Sequence, residues 1–143
     1  MVIGIFGESC TGKSTLAVRL NDALRAEVFT GKDYLRLAKN EAVAAKLFEK
    51  KLQSAMTGEH IVYVISEKAH LSLLPEGALR VLMTADLELI LDRFAARMHG
   101  NLPEPVRQML ERKHGCFDRE PHRFHIHNND LGPVWDQILE AIK

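Results

Sequence analysis

The sequence predicts a single α/β domain in which helices cover both faces of a parallel β-sheet. Three short segments, Met1–Phe6, His60–Ile65 and Leu79–Met83, are almost continuous in valine, isoleucine and leucine. Such runs are typical of strands that are buried on both faces. Longer segments with apolar residues at helical spacing alternate with these runs. This strand–helix–strand alternation predicts the parallel sheet, and it puts the ligand site beyond the carboxyl ends of the strands.

Length and composition limit the class of protein. The chain has 143 residues, which fits one domain covering residues 1–143, and 46% hydrophobic residues suffice for a buried core. Lysine and arginine total 19, as do aspartate and glutamate, so a zero net charge argues against a nucleic-acid partner. We expect no membrane partner, because no apolar run approaches the roughly 18–20 residues of a membrane helix. Two cysteines and no signal-peptide pattern favour a cytoplasmic location.

Two weaker strands and five helices complete the predicted order of elements. The strands are Glu27–Thr30 and Arg123–His127. The helices cover about 13–26, 33–57, 87–98, 104–113 and 131–142, and Asp86 is the expected N-cap of the third. Segment 33–57 fits one long helix or two short ones. Residues 99–122 hold three prolines and mixed charge around the short helix, which indicates an excursion from the sheet and a candidate lid.

The strongest motif is a nine-residue loop that directly follows the first strand. It matches the pattern G-x-x-x-x-G-K-[ST] and comprises Gly7, Glu8, Ser9, Cys10, Thr11, Gly12, Lys13, Ser14 and Thr15. The glycines let the backbone curl so that N–H groups point at phosphate oxygens, and the following helix directs its positive end at the same anion. Lys13 supplies charge to the β- and γ-phosphates, and Ser14 supplies a hydroxyl to Mg²⁺. The alternative is a tight glycine turn that binds nothing.

Two arginines on the predicted third helix are candidates for a second phosphate contact. Arg93 and Arg97 lie four residues apart, so they share one face of the helix beside its apolar stripe. Both can therefore reach a cleft next to the core. Planar guanidinium groups suit the equatorial oxygens of a phosphoryl group in transfer. The alternative is a solvated helix edge on which the arginines pair with Asp92 or Glu88.

Two carboxylates follow strands at the edge where the ligand is expected. Mg²⁺ is usually held by a carboxylate through water, and Asp33 and Glu67 are the candidates after the second and third strands. Ser66 and Glu67 follow the apolar run at the point where a Walker B aspartate is expected. Asp33 has two other interpretations, as a base or orienter for an acceptor hydroxyl and as a helix cap. For Glu67 the alternative is an exposed turn residue.

Histidines surround the predicted last strand. His125 and His127 share one face of that strand, and His122 lies just before it. One metal ion shared by these rings is one interpretation. Half-buried strand histidines or a surface cluster is the interpretation we favour, because no second close pair of ligands accompanies them.

The phosphate loop, the segment after the second strand and the arginine pair resemble the P-loop nucleoside monophosphate kinases, and most of all cytidylate kinase-like proteins. The segment Thr30–Arg36 is similar to the Thr-Gly-x-x-Tyr-Arg stretch of cytidylate kinases, with Leu35 inserted between Tyr34 and Arg36. The resemblance implies a three-layer P-loop NTPase fold with a five-stranded parallel sheet in the order 2-3-1-4-5 and a short lid. It also implies ATP as the donor and Mg²⁺ as the cofactor.

The resemblance also implies roles for individual residues. Arg93 would stack on the donor base, and Arg97 would contact phosphate. Asn129 lies in the loop after the last strand, where members of the family cradle adenine with loop backbone. Arg119 is the lid arginine we expect to close over the phosphates.

Together these features predict a small kinase that transfers the γ-phosphate of ATP to a nucleotide-like or other small acceptor. Lys13, Arg93, Arg97 and Asp33 are the predicted catalytic residues, and Ser14 and Glu67 the predicted metal ligands. The short acceptor region and the missing Walker B aspartate motivate the alternative, an ATP-binding sensor module or slow ATPase without a small acceptor. The sequence predicts neither the acceptor nor the oligomeric state.

Overall fold

The computed structural model describes residues 1–142 and has a five-stranded parallel sheet at its centre. The strands are β1 (Val2–Gly7), β2 (Glu27–Thr30), β3 (Ile61–Ile65), β4 (Leu79–Thr84) and β5 (Phe124–His127). Their order in the sheet is β2-β3-β1-β4-β5, and every neighbouring pair is parallel. The predicted fold class and strand order are confirmed, and all five predicted strands are present within one or two residues of their expected ends.

Five α-helices connect and cover the strands. They are α1 (Lys13–Leu24), α2 (Glu41–Ala55), α3 (Leu87–Arg97), α4 (Glu104–Lys113) and α5 (Val134–Ile142). Two short 3₁₀ helices, Asp33–Leu37 and Lys68–Leu73, follow β2 and β3. Across residues 1–142, no helix has both the length and the apolar character that a membrane crossing requires.

Segment 33–57 forms two helices separated by a break, which decides between the two predicted arrangements. The break is produced by an extended residue and by the N-cap of α2. Ala38 is extended, with φ −161° and ψ 160°. The Asn40 side chain then accepts hydrogen bonds from the backbone N–H groups of Ala42 and Val43, at 2.9 and 3.2 Å, and starts α2. The last helix begins at Val134 and not at Leu131, because Pro133 and the preceding turn delay its start.

Each face of the sheet carries its own apolar core. Along β3, Val62 and Val64 face the helices α1 and α5, whereas Tyr63 faces α2 on the opposite side. On the α2 side the rings of Phe48 and Tyr63 meet edge to face with centroids 4.8 Å apart. Burial of both faces explains why the central strands have continuous apolar sequences, and it leaves the carboxyl edge as the place for polar side chains.

The candidate lid, residues 99–122, is attached to the body of the protein by α4 and by the segment that follows it. Leu110 of α4 is buried against Ile90 and Leu91 of α3. Beyond α4, Phe117 is buried in the core on the α2 side, where its ring lies 5.8 Å from that of Phe6. These contacts bring the end of α4 next to the beginning of the glycine-rich loop.

Candidate nucleotide site

The loop between β1 and α1 has the backbone conformation that its glycines permit. A Cβ atom on Gly7 would lie 2.1 Å from the carbonyl oxygen of Met83, so only glycine fits beside β4. Gly12 has a φ of +94°, in the left-handed region, immediately before α1. The N-terminus of α1 therefore opens directly onto the concave side of the loop, where an anion can meet unpaired backbone N–H groups.

Lys13 is buried inside this loop, with 6% of its surface exposed. Its ammonium group donates a hydrogen bond to the backbone carbonyl of Glu8, and the hydroxyl of Thr11 donates to the same oxygen at 2.8 Å. Burial, assisted by the neighbouring Arg97 guanidinium, lowers the pKa of Lys13 to about 8, against the raising effect of Cys10 and Glu8. A buried ammonium with a lowered pKa is stabilised when an anion enters the loop.

A cavity of about 130 Å³ lies over the N-terminus of α1. It brings together the loop, the carboxyl ends of β2 and β3, and one arginine of α3. Its lining residues are Ser9, Cys10, Gly12, Lys13, Ser14, Thr15, Thr30, Val64, Ser66 and Arg97. Seven of these ten were predicted, and the sequence analysis missed Thr30, Val64 and Ser66 as lining residues. Their position at the carboxyl ends of β2 and β3 is the signal that could have found them, because parallel strands end at one edge of the sheet.

A second cavity, of about 270 Å³, adjoins the first on the α3 side. It is lined by Cys10, Gly12, Thr15, Arg93, Arg97 and Asn129. The Arg93 guanidinium donates a hydrogen bond of 2.8 Å to the carbonyl of Cys10, so this arginine is held against the loop. Asn129 packs directly on Gly12, where an added Cβ would lie 2.8 Å from its side-chain oxygen. The structure thus brings the predicted arginine pair and Asn129 together around one space.

The loop that carries Asn129 is held by a hydrogen-bonded network at Asp86. The Asp86 carboxylate accepts hydrogen bonds from the side chain of Asn128 at 2.9 Å and from the ring of His127 at 3.0 Å. These bonds, that of Asn128 foremost, lower the pKa of Asp86. Asp86 does occupy the N-cap position of α3, but its side chain makes no capping hydrogen bond, so the predicted cap is wrong in that respect.

We call the cavity over the N-terminus of α1 the phosphate cavity, and neither of the predicted carboxylates, Asp33 and Glu67, lines it. Asp33 accepts a hydrogen bond of 2.9 Å from the backbone N–H of Thr30, which closes the turn after β2. The side chain of Glu67 is 61% exposed, and its Oε2 lies 3.9 Å from the ring of His70. Among the described residues, the cavity is lined at this edge by the hydroxyl residue Ser66.

The segment that resembles the cytidylate kinases directs its arginine away from the cavity. Arg36 pairs with Glu27 at 3.6 Å and lies over the ring of Phe29, 4.5 Å from its centroid. Glu27 is the first residue of β2, so this pair lies at the opposite end of the strand from the cavity. Tyr34 stacks on Phe48 at 5.4 Å and belongs to the core on the α2 side.

The two histidines of β5, His125 and His127, lie within hydrogen-bond distance of the same hydroxyl group, that of Thr84. The hydroxyl of Thr84 lies 2.6 Å from Nε2 of His125 and 2.8 Å from Nδ1 of His127, which confirms that both rings share one face of the strand. Within residues 1–142, no three histidine, cysteine, aspartate or glutamate side chains are placed to hold a metal ion.

Comparison with known proteins supports the fold, and it assigns the chain to no family and no activity. No protein-family model matches the sequence, and no curated protein is significantly similar to it. The structure is similar to the tunicamycin resistance protein of Deinococcus radiodurans, with 21% identity and a TM-score of 0.66, over 99% of this chain and 94% of that one. It is also similar to the shikimate kinase of Acinetobacter baumannii in complex with shikimate, with 17% identity and a TM-score of 0.61, over 99% and 94%.

A third similar structure is deoxyadenosine kinase from M. mycoides with bound dATP, with 14% identity and a TM-score of 0.57, over 99% of each chain. At such low identities these likenesses establish the fold alone. The chain has the fold of the P-loop kinases, a three-layer P-loop NTPase fold with strand order 2-3-1-4-5. The neighbours do not single out the cytidylate kinases, and activity is therefore a matter for proposal.

Proposed function

We propose that the protein is a small kinase that transfers the γ-phosphate of ATP to a hydroxyl group of a small acceptor. The observation that carries this proposal is the cavity over the N-terminus of α1, which both the buried Lys13 and the exposed Arg97 line. Two cations and a helix end in one confined space favour a polyphosphate over any neutral ligand. The neighbouring cavity between Arg93 and Asn129 has room for the rest of a nucleotide.

In this proposal the triphosphate lies in the glycine-rich loop and the base lies beside α3. Lys13 leaves the Glu8 carbonyl and contacts the β- and γ-phosphates, and Arg97 contacts the transferred group. Arg93, already fixed by its bond to Cys10, stacks on the base, and the loop at Asn129 lies along it. Phosphoryl transfer needs positioning and charge neutralisation more than covalent chemistry, and these residues supply both.

The residues beside the phosphate cavity suit Mg²⁺, which prefers oxygen ligands and keeps much of its water. Ser14 and Ser66 both line the cavity and carry hydroxyl groups. Asp33 is hydrogen-bonded to the lining residue Thr30 and Glu67 adjoins Ser66 in sequence, so these carboxylates would hold the ion through water. When bound with ATP, Mg²⁺ neutralises charge on the β- and γ-phosphates.

We place the acceptor beyond the carboxyl ends of β2 and β3, next to Asp33 and Ser66. Arg36, the arginine of the segment that resembles the cytidylate kinases, is engaged with Glu27 at the other end of β2 and is not directed at this edge. This arrangement favours an unphosphorylated acceptor with a free hydroxyl over a nucleoside monophosphate. Asp33 is the residue best placed to orient that hydroxyl or to accept its proton.

An acceptor screen tests the proposal. The purified protein is mixed with ATP and Mg²⁺ and with one member of a panel of nucleosides, small sugars, hydroxy acids and nucleoside monophosphates, and ADP release is followed. The expected result is sustained ADP release that depends on one class of added acceptor. A thermal-shift measurement with an ATP analogue and Mg²⁺ identifies the acceptor class independently, because a ligand of the native state raises the melting temperature.

A second candidate function is an ATP-binding sensor or slow ATPase that uses no small acceptor. One observation favours it, namely that no carboxylate side chain among the described residues lines the phosphate cavity. In that case an ATP analogue raises the melting temperature, but no panel member increases ADP release. Slow release that is independent of the panel and increased by a protein partner would identify the ATPase.

A further inference from the structure

The side chain of Glu8 lies on the outer side of the glycine-rich loop and contacts the end of α4. It is buried, with 8% of its surface exposed. One carboxylate oxygen lies 3.1 Å from Nδ1 of His114, and the other accepts a hydrogen bond of 3.1 Å from the backbone N–H of Gly115. A buried carboxylate needs such partners, since an unpaired one would be costly. The contact joins residues more than a hundred positions apart.

The same residue also positions the lysine of the site. The backbone carbonyl of Glu8 accepts the hydrogen bonds from Lys13 and Thr11. Glu8 therefore contacts two parts of the protein, because its carboxylate binds the segment after α4 and its carbonyl oxygen binds Lys13. One residue thus connects His114 to the peptide that holds Lys13.

Two further features make this connection stiff. Phe117 packs on Phe6, two residues before Glu8, with ring centroids 5.8 Å apart. Gly115 has a φ of +81°, so its N–H is presented to Glu8 by a left-handed turn that glycine adopts without strain. The segment 114–117 is thus attached to the strand end by the buried ring of Phe117. It is attached to the loop by the contact between Glu8 and His114 and by the hydrogen bond from the backbone N–H of Gly115.

We propose that Glu8 is a positioning residue that couples the segment 114–117 to nucleotide binding. The carboxylate fixes the loop peptide whose carbonyl holds Lys13 in the free protein, so the loop is preorganised for phosphate. Conversely, when Lys13 leaves the Glu8 carbonyl for the phosphates, the Glu8 peptide is released, and its carboxylate transmits this shift to the segment after α4. This inference rests on the proposed function only in that the ligand of the loop is a nucleotide.

The test compares binding of a non-hydrolysable ATP analogue with Mg²⁺ by calorimetry in the wild type and in Glu8→Ala, Glu8→Gln and His114→Ala. We expect Glu8→Ala to weaken binding about tenfold and His114→Ala about threefold, as expected for lost hydrogen bonds in a preorganised loop. Glu8→Gln should restore affinity to within about twofold, because its amide can still accept from Gly115 and donate to His114. Glu111→Gln, an exposed residue of α4, is the matched control and should bind like the wild type.

Amide hydrogen exchange of the free protein makes the inference testable apart from ATP binding. His114→Ala should increase exchange at the loop amides of residues 9–15, far away in sequence, whereas Glu111→Gln should not. Wild-type affinity in both Glu8→Ala and His114→Ala would overturn the coupling, and so would unchanged loop exchange in His114→Ala. A wild type that binds no analogue refutes the proposed function, and the exchange result then decides the coupling alone. Should Glu8→Ala fail to fold, Glu8→Gln and His114→Ala still give both readouts.

Discussion

The two halves of the candidate site differ in how far the protein prepares them. On the nucleotide side, Lys13 is buried and Arg93 is held by a hydrogen bond to the Cys10 carbonyl. On the acceptor side, Glu67 is largely exposed and Asp33 closes a turn. Preorganised groups bind a triphosphate tightly, because the entropic cost of ordering their side chains is already met when the protein folds. The two carboxylates of the acceptor side, in contrast, are exposed, and a ligand that binds beside them would complete the site.

The difference also concerns charge. The nucleotide side carries cations in and around two connected cavities, with Arg97 lining both. The acceptor side carries Asp33 and Glu67, neither of which lines those cavities. Arg36, from the segment that resembles the cytidylate kinases, pairs with Glu27 at the far end of β2. In the proposed function, the polyphosphate therefore meets ammonium and guanidinium groups, and the acceptor hydroxyl approaches a carboxylate.

The largest expected effect is on the nucleotide side. Lys13→Ala should weaken binding of an ATP analogue about 100-fold or more, because it removes the buried charge that faces the phosphates. Calorimetry measures this effect, with Lys50→Ala on the exposed surface of α2 as the control. Wild-type affinity in Lys13→Ala would refute the assignment of the phosphate site.

The intermediate effect is a pH dependence that Lys13 confers on nucleotide binding. Its pKa is lowered to about 8 by burial, and bound phosphate must raise it again, so binding takes up a proton at alkaline pH. Affinity for the ATP analogue should therefore fall about tenfold between pH 7 and pH 9. Lys13→Arg, which stays charged, should flatten this profile. A profile in which affinity rises with pH would contradict the protonated lysine as the phosphate ligand.

The smallest expected effect is on nucleotide affinity after changes on the acceptor side. Asp33→Asn and Glu67→Gln should leave the affinity for the ATP analogue within about twofold, since exposed charges are screened by solvent. With an acceptor from the screen, Asp33→Asn should instead lower turnover. A tenfold loss of analogue binding in Glu67→Gln would show that this carboxylate holds the metal and would remove the contrast between the two halves.

Several features could be predicted from the sequence because they are local. The glycine-rich loop is nine consecutive residues, and its backbone conformation restricts which residues fit. At Gly7, for example, a side chain would collide with the carbonyl oxygen of Met83. The central strands could be recognised because burial on both faces demands apolar residues throughout. The arginine pair could be placed because helical spacing puts Arg93 and Arg97 on one face, and the structure finds both around one cavity.

Other features depend on side-chain direction, which short-range patterns do not encode. Ser66 lines the phosphate cavity, whereas Glu67, its neighbour and the predicted ligand, is mostly exposed. Asp86 has the sequence position of a cap, yet its carboxylate is taken by Asn128 and His127 from a distant strand. Arg119, the predicted lid arginine, is exposed and lines neither cavity beside the loop among the described residues.

By itself, the sequence determined the five strand segments, the phosphate loop and the shared helix face of Arg93 and Arg97, because each of these depends on a pattern within one segment. Only the tertiary structure decided that Glu8 turns its carboxylate to His114 and that Arg36 turns to Glu27. The physical reason is that a charged side chain takes the partner that packing brings within reach. Those partners come from segments that are far apart in the chain.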